Sequence, residues 1–520
     1  MFYTIKSKRN LIYSIIFLII FLSLYGFNIT QINTVTEVKE EQNDIDINII
    51  SVPKLSAYDV SEKWNKTTGG YVKSVAVSAD GKYMVVGTDI DAAGDELFFF
   101  NTSGHDGIPM WSVNTVDNIN EVAISGTGKY IAVAGDNYAL LFNSTPSAGN
   151  IPMWNVTANA DSGYSSVDIS ANGEYIVLGH RYQTGNPQTS EVYLYNNSYS
   201  VNKVEMWYQE INNRIYSVTI TPDGNYIAVG AEFGLTGPGS EGQITAINNT
   251  DPTSVPSSPT KFWMWWDAIY RDIYSVAISD DGKYVTACGQ YDNTPSPTNM
   301  EEIYFYHNFE FVGNQYGGLN PEYQHIPAWG YNTTFDMKTI AISADGSKLA
   351  AGGNWHATDD NLLYFNNTPS VGNLPEWSYK ADESISSVDM TADGSYVVAG
   401  LIDIIGDTIV FFNNSGVGTK TPEWSLSYSS SLSPFLSVSI SSWGNYIGAG
   451  GGPGGFGKAF LFYHARPIPR IISGNGGGDD DDDDDEEGAI PFGNHYLLFA
   501  AIAIASLIII TKRKAVFSKK

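Results

Sequence analysis

Ser74-Val75-Ala76-Val77-Ser78-Ala79-Asp80-Gly81-Lys82-Tyr83-Met84-Val85-Val86-Gly87 is the stretch on which the reading of this chain turns. Apolar and small residues alternate on both sides of Asp-Gly, the pattern of two short antiparallel strands joined by a tight turn. The same pattern returns with its glycine at Gly128, Gly173, Gly224, Gly282, Gly346, Gly394 and Gly444, at spacings of 47, 45, 51, 58, 64, 48 and 50 residues. Six of the eight turns carry Asp or Asn before the glycine, the pair favoured by a two-residue type I′ turn, and Thr127 and Trp443 stand in the other two. A third apolar run follows each hairpin, as in Leu97-Phe98-Phe99-Phe100-Asn101. A fourth carries a tryptophan: Trp111, Trp154, Trp207, Trp265, Trp329, Trp377 and Trp424.

Repeats of about 50 residues, each worth four strands, stack radially as the blades of a β-propeller. The eighth hairpin has no tryptophan strand after it, while Trp64 stands alone before the first hairpin. The leftovers make one blade, so an N-terminal strand is expected to close the last blade and remove the open sheet edges. The expected fold class is all-β, an eight-bladed propeller over residues 56–470. The tryptophans have a structural task in it, as wedges between blades.

The S-V-x-x-S-x-D-G hairpin resembles that of WD-repeat propellers, with the Asn that ends the third strand where those proteins usually have Asp. The Gly-x-x-Pro-x-Trp segments, at 149–154 and 372–377, resemble the docking repeat of eight-bladed quinoprotein propellers. That second likeness implies a quinone beside a vicinal disulfide and a calcium ion. The single cysteine, Cys288, cannot form that disulfide, and in its strand it reads as a small buried hydrophobe.

The terminal segments set an expected address. Residues 11–27 are 17 residues without a charge, preceded by Lys6, Lys8 and Arg9, and would span about 26 Å as a helix. Residues 1–29 therefore fit a cleaved signal or an N-terminal anchor. Residues 489–511 read as a transmembrane helix, and the basic tail 512–520 begins directly with Lys512-Arg513-Lys514. Positive charge outside both segments places the termini in the cytoplasm and the propeller outside the cell. Residues 30–55 serve as a linker. Residues 471–488, with Asp479 to Asp485 followed by Glu486 and Glu487, form an extended stalk that cannot bury apolar surface. Such a run offers divalent cations only weak, unselective binding, and no cofactor is expected.

Charge narrows the partners further. Lys and Arg number 28 against 56 acids, and the stretch between the terminal basic clusters carries −36. Such a surface repels phosphate backbones, which argues against nucleic acid. There is no H-E-x-x-H, G-x-S-x-G or phosphate-cradling motif, and the seven histidines are scattered. Sequons at Asn101, Asn143, Asn196, Asn248, Asn366 and Asn413 end the third strands; the same Asn also suits the turn itself.

The loops between second and third strands vary from blade to blade, and variable loops on a rigid ring carry function. They hold Asp89, Asp91, Asp136, Arg181, Tyr182, Tyr291, Trp355, His356, Asp359 and Asp360. Acids beside aromatics suit a glycan, a cation-bridged ligand or a basic protein surface. The expected function is that of an extracellular, membrane-anchored recognition, adhesion or scaffold module without catalysis. The alternatives are a surface glycan-active hydrolase or lyase using paired loop carboxylates, and a structural envelope component. Paired anchors, many sequons and no disulfide resemble an archaeal cell-surface glycoprotein.

Overall fold

The computed structural model describes residues 59–465, apart from 91–93, 116, 145–149, 159–161, 183–189, 212–213, 233–241, 251–259, 267–271, 292–300, 309–326, 368–373, 403–406, 428–434 and 453–456. The expected leader, linker, stalk, transmembrane helix and tail lie outside the described residues. Among these, no helix is long and apolar enough to cross a membrane.

Eight antiparallel sheets succeed one another along the chain. Blade 1 is Val72–Val77, Tyr83–Thr88, Leu97–Asn101 and Trp111–Val113, and each later blade repeats this order. Blade 8 consists of Phe435–Ile440, Tyr446–Gly451 and Lys458–Ala465, completed by Asp59–Thr67 from the other end of the domain. Asp59 pairs with Ala465 and Thr67 with Lys458, so the first and last strands of the propeller are hydrogen-bonded neighbours. The first strands of successive blades are adjacent all round, and the ring closes where Phe435–Ile440 meets Val72–Val77.

The second and third strands are covered on both faces by neighbouring blades, which is why they read as unbroken apolar runs rather than as alternating ones. Met84, Val85, Val86, Phe99 and Leu141 have essentially no exposed surface. Tryptophans fill the seams. Trp111 stacks on Phe99 of its own blade (5.1 Å) and meets Phe142 of the next (5.6 Å); Trp329 lies likewise between Phe305 and Phe365, and Trp377 between Tyr364 and Phe412.

The innermost strands leave a row of N–H groups without a strand partner, and side chains of the preceding blade take them up. Val122 N–H donates to Ser74 Oγ (3.2 Å), Val167 N–H to Glu121 Oε2 (2.8 Å) and Val218 N–H to Ser166 Oγ (3.0 Å). Across the closure, Val75 N–H donates to Ser437 Oγ (3.0 Å). Ser74, Ser166, Ser217, Ser387 and Ser437 are therefore edge caps, which satisfy donors that would be costly to bury unpaired.

The Asx-Gly pairs do not form two-residue turns. Gly81 N–H donates to Ser78 C=O (2.8 Å), so Asp80 is the third residue of the turn and Gly81 the fourth. Ser78 Oγ donates to Asp80 Oδ1 (2.8 Å), which also accepts from Lys82 N–H (3.1 Å). The serine or threonine starting each turn selects this longer form, because its hydroxyl can bridge the Asx side chain and the N–H five residues on, as Ser78 does with Tyr83 (3.1 Å) and Thr221 with Tyr226 (3.0 Å). Neighbouring turns are also joined. Gly126 N–H donates to Ala171 C=O (2.9 Å), Ala344 N–H to Ala392 C=O (2.8 Å) and Ser442 N–H to Ala79 C=O (3.2 Å). This belt of backbone bonds opens at Pro222, which has no N–H to pass on to blade 5.

Among the described residues, one strand has no counterpart in the other blades. Gly418–Thr419, from the third-to-fourth connection of blade 7, pairs in parallel with Trp377 and Ser378 on the outer edge of blade 6.

Candidate functional site

Antiparallel order sends the Asx-Gly turns and the third-to-fourth connections to one face of the ring. The second-to-third loops emerge on the other, and there the blade 6 loop brings four of the candidate residues together. Trp355 is 50% exposed, and its N–H is held by Ser384 Oγ of blade 7 (2.8 Å). The His356 ring lies over Phe335 (5.5 Å) and places Nδ1 3.2 Å from Asp359 Oδ2. Asp359 also accepts from Thr334 Oγ1 (2.5 Å) and Thr358 Oγ1 (3.0 Å), bonds that hold its carboxyl below the usual range. Asp360 accepts from Ser378 Oγ.

The loop is pinned by a residue that sequence reasoning missed. Asn361 is fully buried, accepts Ala381 N–H (2.8 Å) and donates to Glu383 C=O (2.8 Å). Asp336 was missed as well. It accepts from Tyr291 N–H (2.9 Å) in the blade 5 loop and from Lys338 Nζ (2.9 Å) and Asn354 Nδ2 (3.2 Å) in blade 6, tying the two loops together. Its position directly before an inner strand, shared with Asn118 in blade 2, is the signal that could have found it.

The remaining candidates are distributed round the ring. Asp89 accepts Tyr71 N–H in blade 1. Asp136 in blade 2 accepts from Asn118 Nδ2 (2.8 Å) and Asn120 Nδ2 (2.9 Å). Arg181 is partly exposed at the end of a blade 3 strand, and Tyr291 is partly exposed in blade 5. Asp91, like the side chains of Tyr182 and Trp265, lies outside the described residues.

On the opposite face, the sequon asparagines work within their turns. Asn101, Asn196, Asn248 and Asn413 accept through Oδ1 from the N–H two residues on, at 2.8 to 3.2 Å. Asn143 and Asn366 end their strands partly exposed. In two blades the residue after the sequon Asn has a second task. Asn249 Nδ2 donates to Gly224 C=O (2.8 Å) while its Oδ1 accepts from Trp207 Nε1 of the preceding blade (3.0 Å). Asn367 makes the same two bonds to Gly346 C=O (3.2 Å) and Trp329 Nε1 (2.9 Å). Trp154 Nε1 reaches Asn196 C=O (3.2 Å). Trp64 is 5% exposed, and Trp424 packs against Phe462 (5.0 Å).

The inner strands carry the perturbed acids. Burial pushes the Glu121 carboxyl up to about 7 and Asp389 up to about 6, and raises Asp168 as well. An acid whose folded value is raised stabilises the fold only while protonated. Stability is therefore full below about 4.5 for Glu121 and is lost as pH rises toward 7. Glu121→Gln keeps an acceptor for Val167 N–H and removes the titration. Urea melts should show the wild type weakening between pH 5 and 7 by on the order of 3 kcal/mol more than the Gln variant, which keeps only the loss due to Asp389 and Asp168. Parallel curves would mean that Glu121 does not titrate there.

The fold has a counterpart among solved structures. A chain described as the structure of the Dos1 propeller superposes with a TM-score of 0.51 at 11% identity, covering 78% of this chain and 96% of that one. The likeness is one of fold. No family model matches the sequence, and no curated protein matches it.

Proposed function

We propose that the chain is a non-catalytic recognition or scaffold module, held outside the cell by membrane anchors, whose partner docks on the variable-loop face around residues 354–361. The observation that carries this reading is Trp355, a large ring held half-exposed on a loop whose end is locked by buried Asn361. Exposed aromatics on rigid supports are the usual anchors of binding surfaces. Beside it, His356, Asp359 and Asp360 give the patch hydrogen-bonding edges suited to a glycan or to a basic protein surface. Binding is favoured over catalysis because Asp89, Asp136 and Asp360 already serve as acceptors for donors of their own and neighbouring elements. The basic clusters flanking residues 11–27 and 489–511 support the extracellular address, and there the sequons would be open to glycosylation.

A screen of fragment 56–470 against glycans and surface proteins supplies the ligand. Replacing Trp355 and His356, or Asp359 and Asp360, by Ala should then weaken binding roughly tenfold or more with little change in melting temperature. Lys82→Ala and Lys283→Ala, on the opposite face, should leave it unchanged. The reverse pattern would move the partner to the other side. The address is checked on intact cells, where added protease should remove residues 30–488 and spare an epitope at Lys519-Lys520. Loss of that epitope before permeabilisation would overturn the orientation.

A further inference from the structure

Among the described residues, the large apolar side chains left in solvent gather on one side of the ring. Ile90, Trp355 and Ile402 are the three on the variable-loop face, whereas most of the others stand in third-to-fourth connections, on the Asx-Gly face. Four of these share one position. Trp111, Trp154, Trp207 and Trp377 each pair with the residue two before the Asn that ends the third strand, and three residues before each tryptophan comes Ile108, Ile151, Val204 or Leu374. All four are aliphatic and 65 to 70% exposed. In blade 7 Thr421 holds the position, and Val417 of the same connection is exposed instead.

Single exposed apolar side chains are ordinary on a soluble surface, but one that returns at the same register is not scatter. Equivalent positions of successive blades lie at one height round a ring. The four side chains, in blades 1, 2, 3 and 6, are therefore spread over a plane instead of forming a patch on one flank. A partner on one flank would not meet them together, and a flat surface would. The ends of the propeller point the same way. Lys458–Ala465 is a third strand and runs toward the Asx-Gly face, and Asp59 pairs with Ala465, so the chain enters and leaves the ring on this face. Beyond those ends lie the apolar runs 11–27 and 489–511.

We propose that the Asx-Gly face rests on a lipid surface, with Ile108, Ile151, Val204 and Leu374 among the headgroups and the variable-loop face turned away from the membrane toward its partner. This rests on the membrane anchoring and extracellular address proposed above. Aliphatic groups moved from water to the boundary between headgroups and acyl chains supply the affinity. The chain carries a net charge of −28, so a zwitterionic lipid suits it better than an anionic one. Sugar on Asn101, Asn143, Asn196 and Asn366, in the same connections, would stand between the rim and the lipid, so the contact requires these four asparagines bare.

The test uses the full chain, made in a host that adds no N-glycans and reconstituted in phosphatidylcholine vesicles that carry a nitroxide lipid at headgroup depth. Cys288 is buried, so an introduced cysteine alone takes a fluorescent label. The label goes on Val417→Cys, on the contact face, or on Ile402→Cys, in the same blade on the other face. The first should be quenched roughly twofold or more beyond the second. Replacing Ile108, Ile151, Val204 and Leu374 together by Ser, all outside the core, should leave the melt near wild type and remove that difference. Carbonate extraction of the same vesicles reads the anchoring separately. A chain that is retained but equally quenched at both positions keeps its anchors and overturns the contact, whereas one that is extracted yet quenched at Val417→Cys keeps the contact and refutes the anchors. A difference that survives the fourfold Ser variant overturns the proposal. So does a Val417→Cys label shifted to the blue without quenching, which a second copy on this face would give, and so do glycans on all four asparagines of the native chain.

Discussion

Removing residues 59–67 is expected to open the ring and abolish the single cooperative unfolding transition of the propeller, and Trp64→Ala alone should cost roughly 3 to 5 kcal/mol. The strand holds two seams at once. Trp64 packs 4.7 Å from Phe100 in blade 1, in a cluster with Val75, Ala459 and Leu461. Val60 joins the cluster between blades 7 and 8, with Phe411, Phe460 and Phe462. Without the strand, Lys458–Ala465 becomes an exposed edge bearing Phe460 and Phe462, a template for pairing with another chain. Denaturant melts with hydrogen exchange would locate the damage. Protection should fall over residues 435–463, far away in sequence, as well as in blade 1. An unchanged midpoint in Trp64→Ala would show that closure contributes little to stability.

The architecture was legible because its signals are local and repeated. Hairpins announce themselves through a period-two first strand, an unbroken apolar second strand and the Asx-Gly between them, and counting strands exposed Trp64 as the missing member of blade 8. What joins the blades was much less legible, because it depends on how a residue faces the next blade. Ser74 and Ser166 read as ordinary strand residues, yet each caps an N–H one blade away. The Asn-Asn pairs drew attention to the first Asn as a sequon, while the second does the bridging at Asn249 and Asn367. Turn type was misread for a related reason. The Asx-Gly pair has a strong preference of its own, and the hydroxyl two residues earlier overrides it. At the candidate site, Trp355, His356, Asp359 and Asp360 were visible because they are close in sequence. Asp336 and Asn361 were not, since they act by holding elements from elsewhere.

The turn glycines test how much of this inter-blade packing matters for stability. Gly282→Ala should destabilise the domain by roughly 2 to 5 kcal/mol, from two separable causes. Gly282 has φ +70°, where an alanine is strained, and its added Cβ would lie 2.3 Å from the Tyr226 ring of the preceding blade. Gly416 supplies the control. Its φ is +94° and nothing lies within 4 Å of the same added atom, so Gly416→Ala should cost only the backbone strain, about 1 kcal/mol. The difference between the two variants then measures the contact between blades. A double-mutant cycle sharpens it, because Tyr226→Ala removes the ring that the new methyl would strike. Gly282→Ala should cost less in the Tyr226→Ala background than in the wild type, by roughly 1 to 3 kcal/mol of coupling. Equal costs for Gly282→Ala and Gly416→Ala, with no coupling to Tyr226, would mean that the seam yields freely and that each turn glycine is there for its backbone alone.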